Sequence, residues 1–475
     1  MEKNKKIKND KLNKKNFLSE HGLKKSEIDS DFIKQLPHGP KSILLHLGLK
    51  HIDAPFLFKN QKKYGNTFSY FLKKRLVVFF SEPKAISEIG AIKQQDFIRG
   101  PSFAMAKKIL GPGLISNDGA IHREQKTTLS PPFHSKNYNE YAQEMSKIVE
   151  QHISKWKNKE EIKINSELSS MTFEIVSKIM FGLDLSMHST TFYKNLNITL
   201  NGIQKPLPFK INNLKKYNIP YFNKFKKSTE ILKKIAIETF DENKNNENPN
   251  NILGILSDAV KNKKIPREEA LGQVLNLLVS GHETTSSNLV WALSHLSNNP
   301  EIWKLIKEES NEILKYENTS LFLNKLMGAK TTEKVINETL RLYPTVWGIT
   351  RTAINDTEID NVLIKSKTIV LFSSYVSHRN PKYFYDPENF IPERWHDGFK
   401  ENLEFGAYFP FYMGQNKCLG DNFANLEMRI ILLKIANKMD LSLKSKFPEP
   451  NFATLLKIKN QVVMTVNKEN DEGLD

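Results

Sequence analysis

The one cysteine in 475 residues, Cys418, stands in the stretch Phe411 to Gly420, FYMGQNKCLG. Directly after it, DNFANLEMRIILLKIANKM carries apolar residues at Phe423, Leu426, Ile430, Leu433 and Ile435, a helical spacing with one apolar face. Cys418 is therefore expected at the approach to a helix N-terminus, where free backbone N–H groups and the positive end of the helix dipole favour a thiolate. Such a sulfur can act as a nucleophile or as a soft metal ligand. Gly414 and Gly420 let the loop turn tightly and let a flat group lie near its backbone, with Phe411 packed against that group. A lone cysteine taken by itself is more often a small buried hydrophobe, so the other segments decide.

A second cluster lies in SGHETT, Ser280 to Thr285, at the middle of an apolar segment that Pro266 opens and Pro300 ends. Acidic residues in its first turn mark a helix start, and about 33 residues at 1.5 Å each give a helix on the order of 50 Å, long enough to cross a domain. Gly281 costs roughly 1 kcal/mol inside a helix, which favours a local distortion or a closely approaching ligand there. His282-Glu283 begins the zinc-protease pattern HExxH, but position 286 is Ser, which disfavours zinc. Buried threonines in a helix also bond the carbonyl four residues back. A third group, Glu338 and Arg341 in TTEKVINETLRL, lies three residues apart on one helix face, with FIPERW and its Arg394 further on.

Around these motifs the chain reads as follows. Residues 1–32 are lysine-rich with little periodicity and are expected to form a flexible tail, and 33–475 a single domain with no dividing linker. Lys63 to Phe80 reads as a hairpin turning at Lys73-Lys74-Arg75. Phe97 to Gly119 reads as a long loop with short helical pieces. A helix from Ala120 follows, carrying His122, Arg123 and Lys126. Residues 137–181 read as one or two helices, 190–240 as weaker amphipathic helices, and 241–251 as a polar surface loop.

In this order the segments resemble the cytochrome P-450 family. The loop is similar to its haem-binding signature at Phe411, Gly414, Cys418 and Gly420, while Asn416 stands where the family generally has Arg or His. SGHETT resembles the oxygen-groove motif. The resemblance implies a mainly α fold with small β-sheets (α+β), a long central helix over haem b and the cysteine loop beneath it. It makes Cys418 the axial iron ligand, Thr284 the hydroxyl beside oxygen and Glu283 its acidic neighbour. It assigns propionate contacts to His122, Lys126 and Arg351, and a buried structural triad to Glu338, Arg341 and Arg394. A thiolate on haem iron favours O–O cleavage, so the implied activity is monooxygenation. One oxygen atom of O2 enters a largely apolar substrate, by hydroxylation or epoxidation. A peroxygenase, an isomerase or a haem sensor on the same fold are the alternatives.

Composition sets the partners. Seventy Lys and Arg against 53 Asp and Glu leave +17, which suits an acidic partner or an anionic surface. The lysines are dispersed, not clustered with aromatics as nucleic-acid binding needs, so no nucleic acid is expected. No flavin or iron–sulfur motif is visible, so electrons must come from a separate acidic ferredoxin or flavodoxin with its NAD(P)H reductase. That donor is expected to dock near Lys417 and helix 120–130. One cysteine precludes an intrachain disulfide and fits a reducing compartment. The early apolar run Ser42 to Leu49 is too short to span a bilayer. The expectation is thus a cytoplasmic protein of the soluble bacterial type without a transmembrane anchor. Apolar residues of the 97–119 loop, Leu277, Thr345 to Ile349 and Phe452 to Leu456 are expected to line the substrate chamber.

Overall fold

The computed structural model describes residues 22–47, 52–157, 159–204, 220–243, 248 and 250–467. The protein is mainly helical, with small sheets at one side, as expected. Ten helices carry the argument: α1 (Pro101–Leu110), α2 (Gly119–Leu129), α3 (Tyr138–Ser154), α4 (Ile164–Phe181), α5 (Ser189–Gln204), α6 (Pro220–Asp241), α7 (Arg267–Leu296), α8 (Pro300–Leu314), α9 (Lys330–Leu342) and α10 (Asp421–Lys438). The main sheet joins β1 (Thr67–Leu72), β2 (Arg75–Phe80), β3 (Phe97–Arg99), β4 (Ile349–Ala353) and β5 (Ile369–Phe372) in the order β1-β2-β5-β4-β3. The predicted hairpin is present as β1 and β2, antiparallel from Thr67↔Phe80 to Leu72↔Arg75. Its turn places Lys73 and Lys74 at positive φ. A second hairpin, β6 (Pro450–Phe452) and β7 (Leu456–Ile458), lies near the C-terminus.

The central helix α7 runs 30 residues, about 45 Å at 1.5 Å per residue. Pro266 caps it in extended conformation, and Glu268 and Glu269 fill its first turn. Most of its length is buried, and it packs most extensively on α4.

Helix α10 differs from its sequence pattern. Leu426 to Ala436 are buried without interruption, so the helix is enclosed on every side and not on one face. Its charges are tolerated because neighbouring elements pair them. Arg429 meets Glu333 of α9 at 3.0 Å, and Lys434 meets Glu150 of α3 at 2.9 Å and Glu317 at 3.0 Å. Glu427 is the exception. Burial pushes its carboxyl well above the ordinary range, with Thr285 of α7 as its neighbour.

Two stretches depart from their expected boundaries. Residues 22–32 belong to the folded body: the Leu23 N–H donates to Lys367 O at 2.8 Å, and Phe32 packs on the main sheet. Only residues 1–21 of the expected tail lie outside the described residues. The region 97–119, read as a long loop with short helical pieces, contains β3, which was not expected, and one helix of ten residues, α1. No helix among the described residues is long and apolar enough to cross a membrane.

Candidate functional site

The cysteine loop is closed by the Cys418 N–H, which donates to Phe411 O at 2.9 Å. Tyr412 and Gly414 both take positive φ, 63° and 61°. A side chain at Gly414 would put its Cβ 2.5 Å from Gly90 O. The missing Cβ therefore admits the backbone of residues 88–92, not a flat ligand. Tyr412 accepts its left-handed backbone because its ring is fixed by stacking on Phe372 at 5.9 Å. At Gly420 a Cβ would meet only ordinary contact with Phe133 at 3.5 Å.

The Cys418 side chain keeps accessible surface, yet burial pushes its thiol up, and the Gly420 N–H, which favours the thiolate, does not offset this. Cys418 is thus open to an incoming group although protein surrounds it closely. The helix N-terminus alone thus does not generate the thiolate expected from the sequence. A metal ion bound there would, since it deprotonates a coordinating thiol outright.

Beside the loop lies a concentration of positive charge that the sequence showed only in part. In the antiparallel pairing of β3 and β4, Arg99 stands opposite Arg351. Among the described residues, neither guanidinium has a carboxylate ion pair. Arg99 Nε donates to Asn117 O at 2.8 Å, and its Nη2 to Asn416 Oδ1 at 3.1 Å. Its backbone N–H donates to Asp118, the cap of α2. Helix α7 braces this arrangement, because Gln273 and Asn276 accept from the N–H groups of Leu114 and Ile115 at 2.9 and 3.1 Å. Arg351 is buried and lies over the Tyr412 ring, 5.0 Å from its centroid. Burial, then the charge of Arg351, brings Arg99 down to about 10.

Burial and then Arg99 bring His122 down to about 4, so this imidazole is neutral at pH 7 and offers a hydrogen bond, not a charge. Lys126 Nζ donates to Gln415 O at 2.9 Å and Lys417 O at 2.7 Å. Its ammonium is occupied with the cysteine loop's carbonyls. Arg351 is buried and Arg99 half-buried, with only the Asp118 carboxylate acting on Arg99, so the two guanidiniums suit an anion beside them. Sequence reasoning found Arg351 but missed Arg99, since a three-residue strand is too short to show a period.

On α7 the Thr284 hydroxyl donates to Ser280 O at 2.8 Å, the expected bond to the carbonyl four residues back. The helix is unbroken through this point. A Cβ on Gly281 would come 3.0 Å from Val176 Cγ2, so the glycine serves close packing on α4, and the helix shows no distortion there. Asn288 Nδ2 donates to Thr284 O at 2.9 Å and to Thr345 Oγ1 at 2.8 Å. This ties the middle of α7 to the start of the 345–349 segment. Glu283 is buried and forms an ion pair with Lys457 of β7 at 2.5 Å.

The third group is fully enclosed. Glu338 accepts from Arg341 Nε and Nη2, both at 2.8 Å, from Arg394 Nε at 3.0 Å and from Trp395 Nε1 at 2.9 Å. The remaining guanidinium donors reach backbone carbonyls, among them His378 O, Pro387 O and Tyr385 O. Burial raises the Glu338 carboxyl, but Arg341 and Arg394 outweigh it, and the net position is below the ordinary range.

A buried anchor of this kind, an exposed cysteine in a closed loop and a pair of arginines beside it are compatible with a haem-thiolate site. The comparisons agree. The family model for cytochrome P-450 matches residues 37–466. Cyclooctat-9-en-7-ol 5-monooxygenase of Streptomyces melanosporofaciens is 29% identical over 73% of this chain and 76% of its own. Cyclooctatin synthase of the same organism is 29% identical over 71% of this chain and 75% of its own. The solved structure of retinoic acid-bound cyanobacterial CYP120A1 superposes with a TM-score of 0.79 at 25% identity, covering 91% of this chain and 99% of that one. This chain belongs to the cytochrome P-450 family. It is a monooxygenase whose cofactor is protoporphyrin IX haem.

The residues present fit that group: Cys418, which is exposed, would hold the iron, and Arg99 and Arg351 would meet the propionates. Each charge-assisted hydrogen bond contributes about 1.5–3 kcal/mol, roughly ten- to a hundredfold in affinity. Arg99→Gln and Arg351→Gln are each expected to speed transfer of haem to apomyoglobin by such a factor. Unchanged transfer in both variants would place the propionates elsewhere.

Proposed function

We propose that the enzyme hydroxylates or epoxidises a largely apolar substrate such as a terpenoid or fatty acid. The observation that carries this reading is the wall built where β6, β7 and residues 345–349 meet. Trp347 Nε1 donates to Ala453 O at 2.8 Å, the Leu456 N–H to Thr345 O at 2.8 Å, and the Phe452 ring stands edge-on to Trp347 at 6.1 Å. These are the segments expected to line the substrate chamber, and the side chains they leave exposed or half-buried include the apolar Val346, Trp347 and Phe452. The Streptomyces relative named for oxidation of cyclooctat-9-en-7-ol and the retinoic acid-bound neighbour accord with an apolar substrate.

Haem with a thiolate ligand supplies O2 activation and O–O cleavage. The chain's own contribution is to hold substrate and move protons. Thr284, bonded to Ser280 O, presents a hydroxyl oxygen that orders water, and Glu283, one residue away, exchanges protons with it. Electrons come from an acidic ferredoxin or flavodoxin and its NAD(P)H reductase. Exposed Lys417 and Arg123 on the cysteine side offer that carrier a cationic landing surface. A reducing cytoplasm suits both the carrier and the single free cysteine.

The test is a spectral binding screen with cyclooctat-9-en-7-ol, retinoic acid and fatty acids, followed by NAD(P)H-driven turnover of whatever binds. Thr284→Ala is expected to retain haem and ligand binding while releasing most electrons as peroxide. Equal product per NAD(P)H in Thr284→Ala and wild type would remove the hydroxyl from the proton path. Turnover with peroxide but not with NAD(P)H would favour a peroxygenase.

A further inference from the structure

Trp291 of α7 is buried and lies flat on Tyr343, the residue that closes α9, with ring centroids 3.9 Å apart and planes 4° from parallel. The Tyr343 hydroxyl meets His295 Nε2 at 3.0 Å, and the His295 ring stacks on Phe390 at 4.2 Å. Burial brings His295 down to about 4, so its imidazole is neutral at pH 7 and can take a proton. Tyr343 and His295 are both half-buried and keep contact with solvent.

Packing alone does not account for these residue types. The Trp291 indole N–H is buried with no protein partner, a cost that a phenylalanine in its place would avoid. Trp291 stands seven residues after Thr284, two helical turns or about 10 Å further along the same face of α7. Between them Asn288 bonds both Thr284 O and Thr345 Oγ1, and Thr345 follows Tyr343 by two residues. The stack thus starts close to the middle of α7 and ends at groups in contact with solvent. Tyr412 in the cysteine loop differs in one respect. Its buried hydroxyl has no protein partner, so no group is placed to receive its proton.

We propose that Trp291, Tyr343 and His295 form an electron-supply chain that disarms activated oxygen when no substrate bond is within reach, a protective oxidase activity beside monooxygenation. One oxygen atom of O2 leaves as water during activation, and the other is the atom that would enter substrate. Without substrate, two further electrons and two protons turn that atom into water as well. Tyr343 gives one electron by way of Trp291 and its phenol proton to His295 Nε2, which leaves a neutral tyrosyl radical and an imidazolium. The indole, whose N–H has no acceptor, keeps its proton and carries charge only in passing. A soluble one-electron reductant such as ascorbate then returns an electron to Tyr343, and His295 returns the proton. A second round supplies the second electron, and solvent supplies both protons that the oxygen atom takes up.

The test has two readouts. Haem-loaded full-length protein is mixed with hydrogen peroxide and frozen within milliseconds for electron paramagnetic resonance. In parallel, haem absorbance is followed during NADPH-fed turnover without substrate, through a surrogate ferredoxin and reductase. Wild type is expected to show a tyrosyl signal that narrows when the protein carries ring-deuterated tyrosine. Tyr343→Phe is expected to remove most of that signal and Trp291→Phe to weaken it severalfold, each with an unchanged reduced carbon monoxide spectrum. Both variants are expected to lose haem absorbance severalfold faster than wild type, and ascorbate to slow that loss in wild type but not in Tyr343→Phe. A wild type without a tyrosyl signal, or a Tyr343→Phe variant with wild-type radical yield and wild-type bleaching, would overturn the chain. Should Tyr343→Phe fail to fold, Trp291→Phe decides by the same two readouts.

Discussion

Glu338→Ala is expected to yield little soluble haem-loaded protein. The substitution leaves Arg341 and Arg394, both essentially inaccessible, with no counter-charge, and removes the acceptor for Trp395 Nε1 and the Ile391 N–H. Breaking a buried pair by deleting one partner costs about 3–5 kcal/mol, a large share of a typical stability of about 5–15 kcal/mol. Arg341→Ala is expected to be comparably severe, since it also orphans His378 O and Pro387 O. The same carboxylate sets a pH dependence. Its pKa in the folded protein lies below the usual value of 4.5, so its contribution is complete above that value and is lost as pH falls through the lower, folded one. Thermal unfolding of wild type followed downward from pH 6 should steepen below about 4.5. Normal yield and an unaltered acid limb in Glu338→Ala would show that the triad does not hold the fold together.

The sequence made the motif-bearing segments legible because each is local. The hairpin turn, the three-residue spacing of Glu338 and Arg341, the helix from Pro266 to Pro300 and the cysteine loop all declare themselves within a few residues. What stayed hidden depends on chain brought from afar. Arg99 acquires its meaning only when β3 pairs with β4 and sets it opposite Arg351. Lys457 looks like one more surface lysine until β7 delivers it to Glu283. Gly281 suggested a ligand, but the space it leaves is taken by Val176 from α4. Helix α10 looked amphipathic because it carries Glu, Arg and Lys. It is enclosed because Glu333, Glu150 and Glu317 meet two of those charges, and Glu427, whose carboxyl burial pushes up, has Thr285 beside it. Asn416 was legible as a departure from the family pattern. Its role was not, because the group it holds is the Arg99 guanidinium.

The second large effect concerns Cys418, on which the whole chemical reading turns. Cys418 is exposed, its loop is closed by the Phe411 carbonyl, and Arg99 and Arg351 stand opposite each other beside that loop. A thiolate there would push electron density onto a bound haem iron and would give the reduced, carbon monoxide-bound protein its long-wavelength Soret band. Cys418→His would offer a nitrogen ligand in its place, and Cys418→Ala none. Neither change touches the Glu338 triad, so both variants are expected to fold. The decisive measurement is the reduced carbon monoxide difference spectrum of wild type beside Cys418→His and Cys418→Ala. The account predicts the thiolate band in wild type, its replacement by the shorter-wavelength band of nitrogen-ligated haem in Cys418→His, and its loss in Cys418→Ala. A thiolate band that persists in Cys418→Ala, or a wild-type protein that lacks it, would contradict the account.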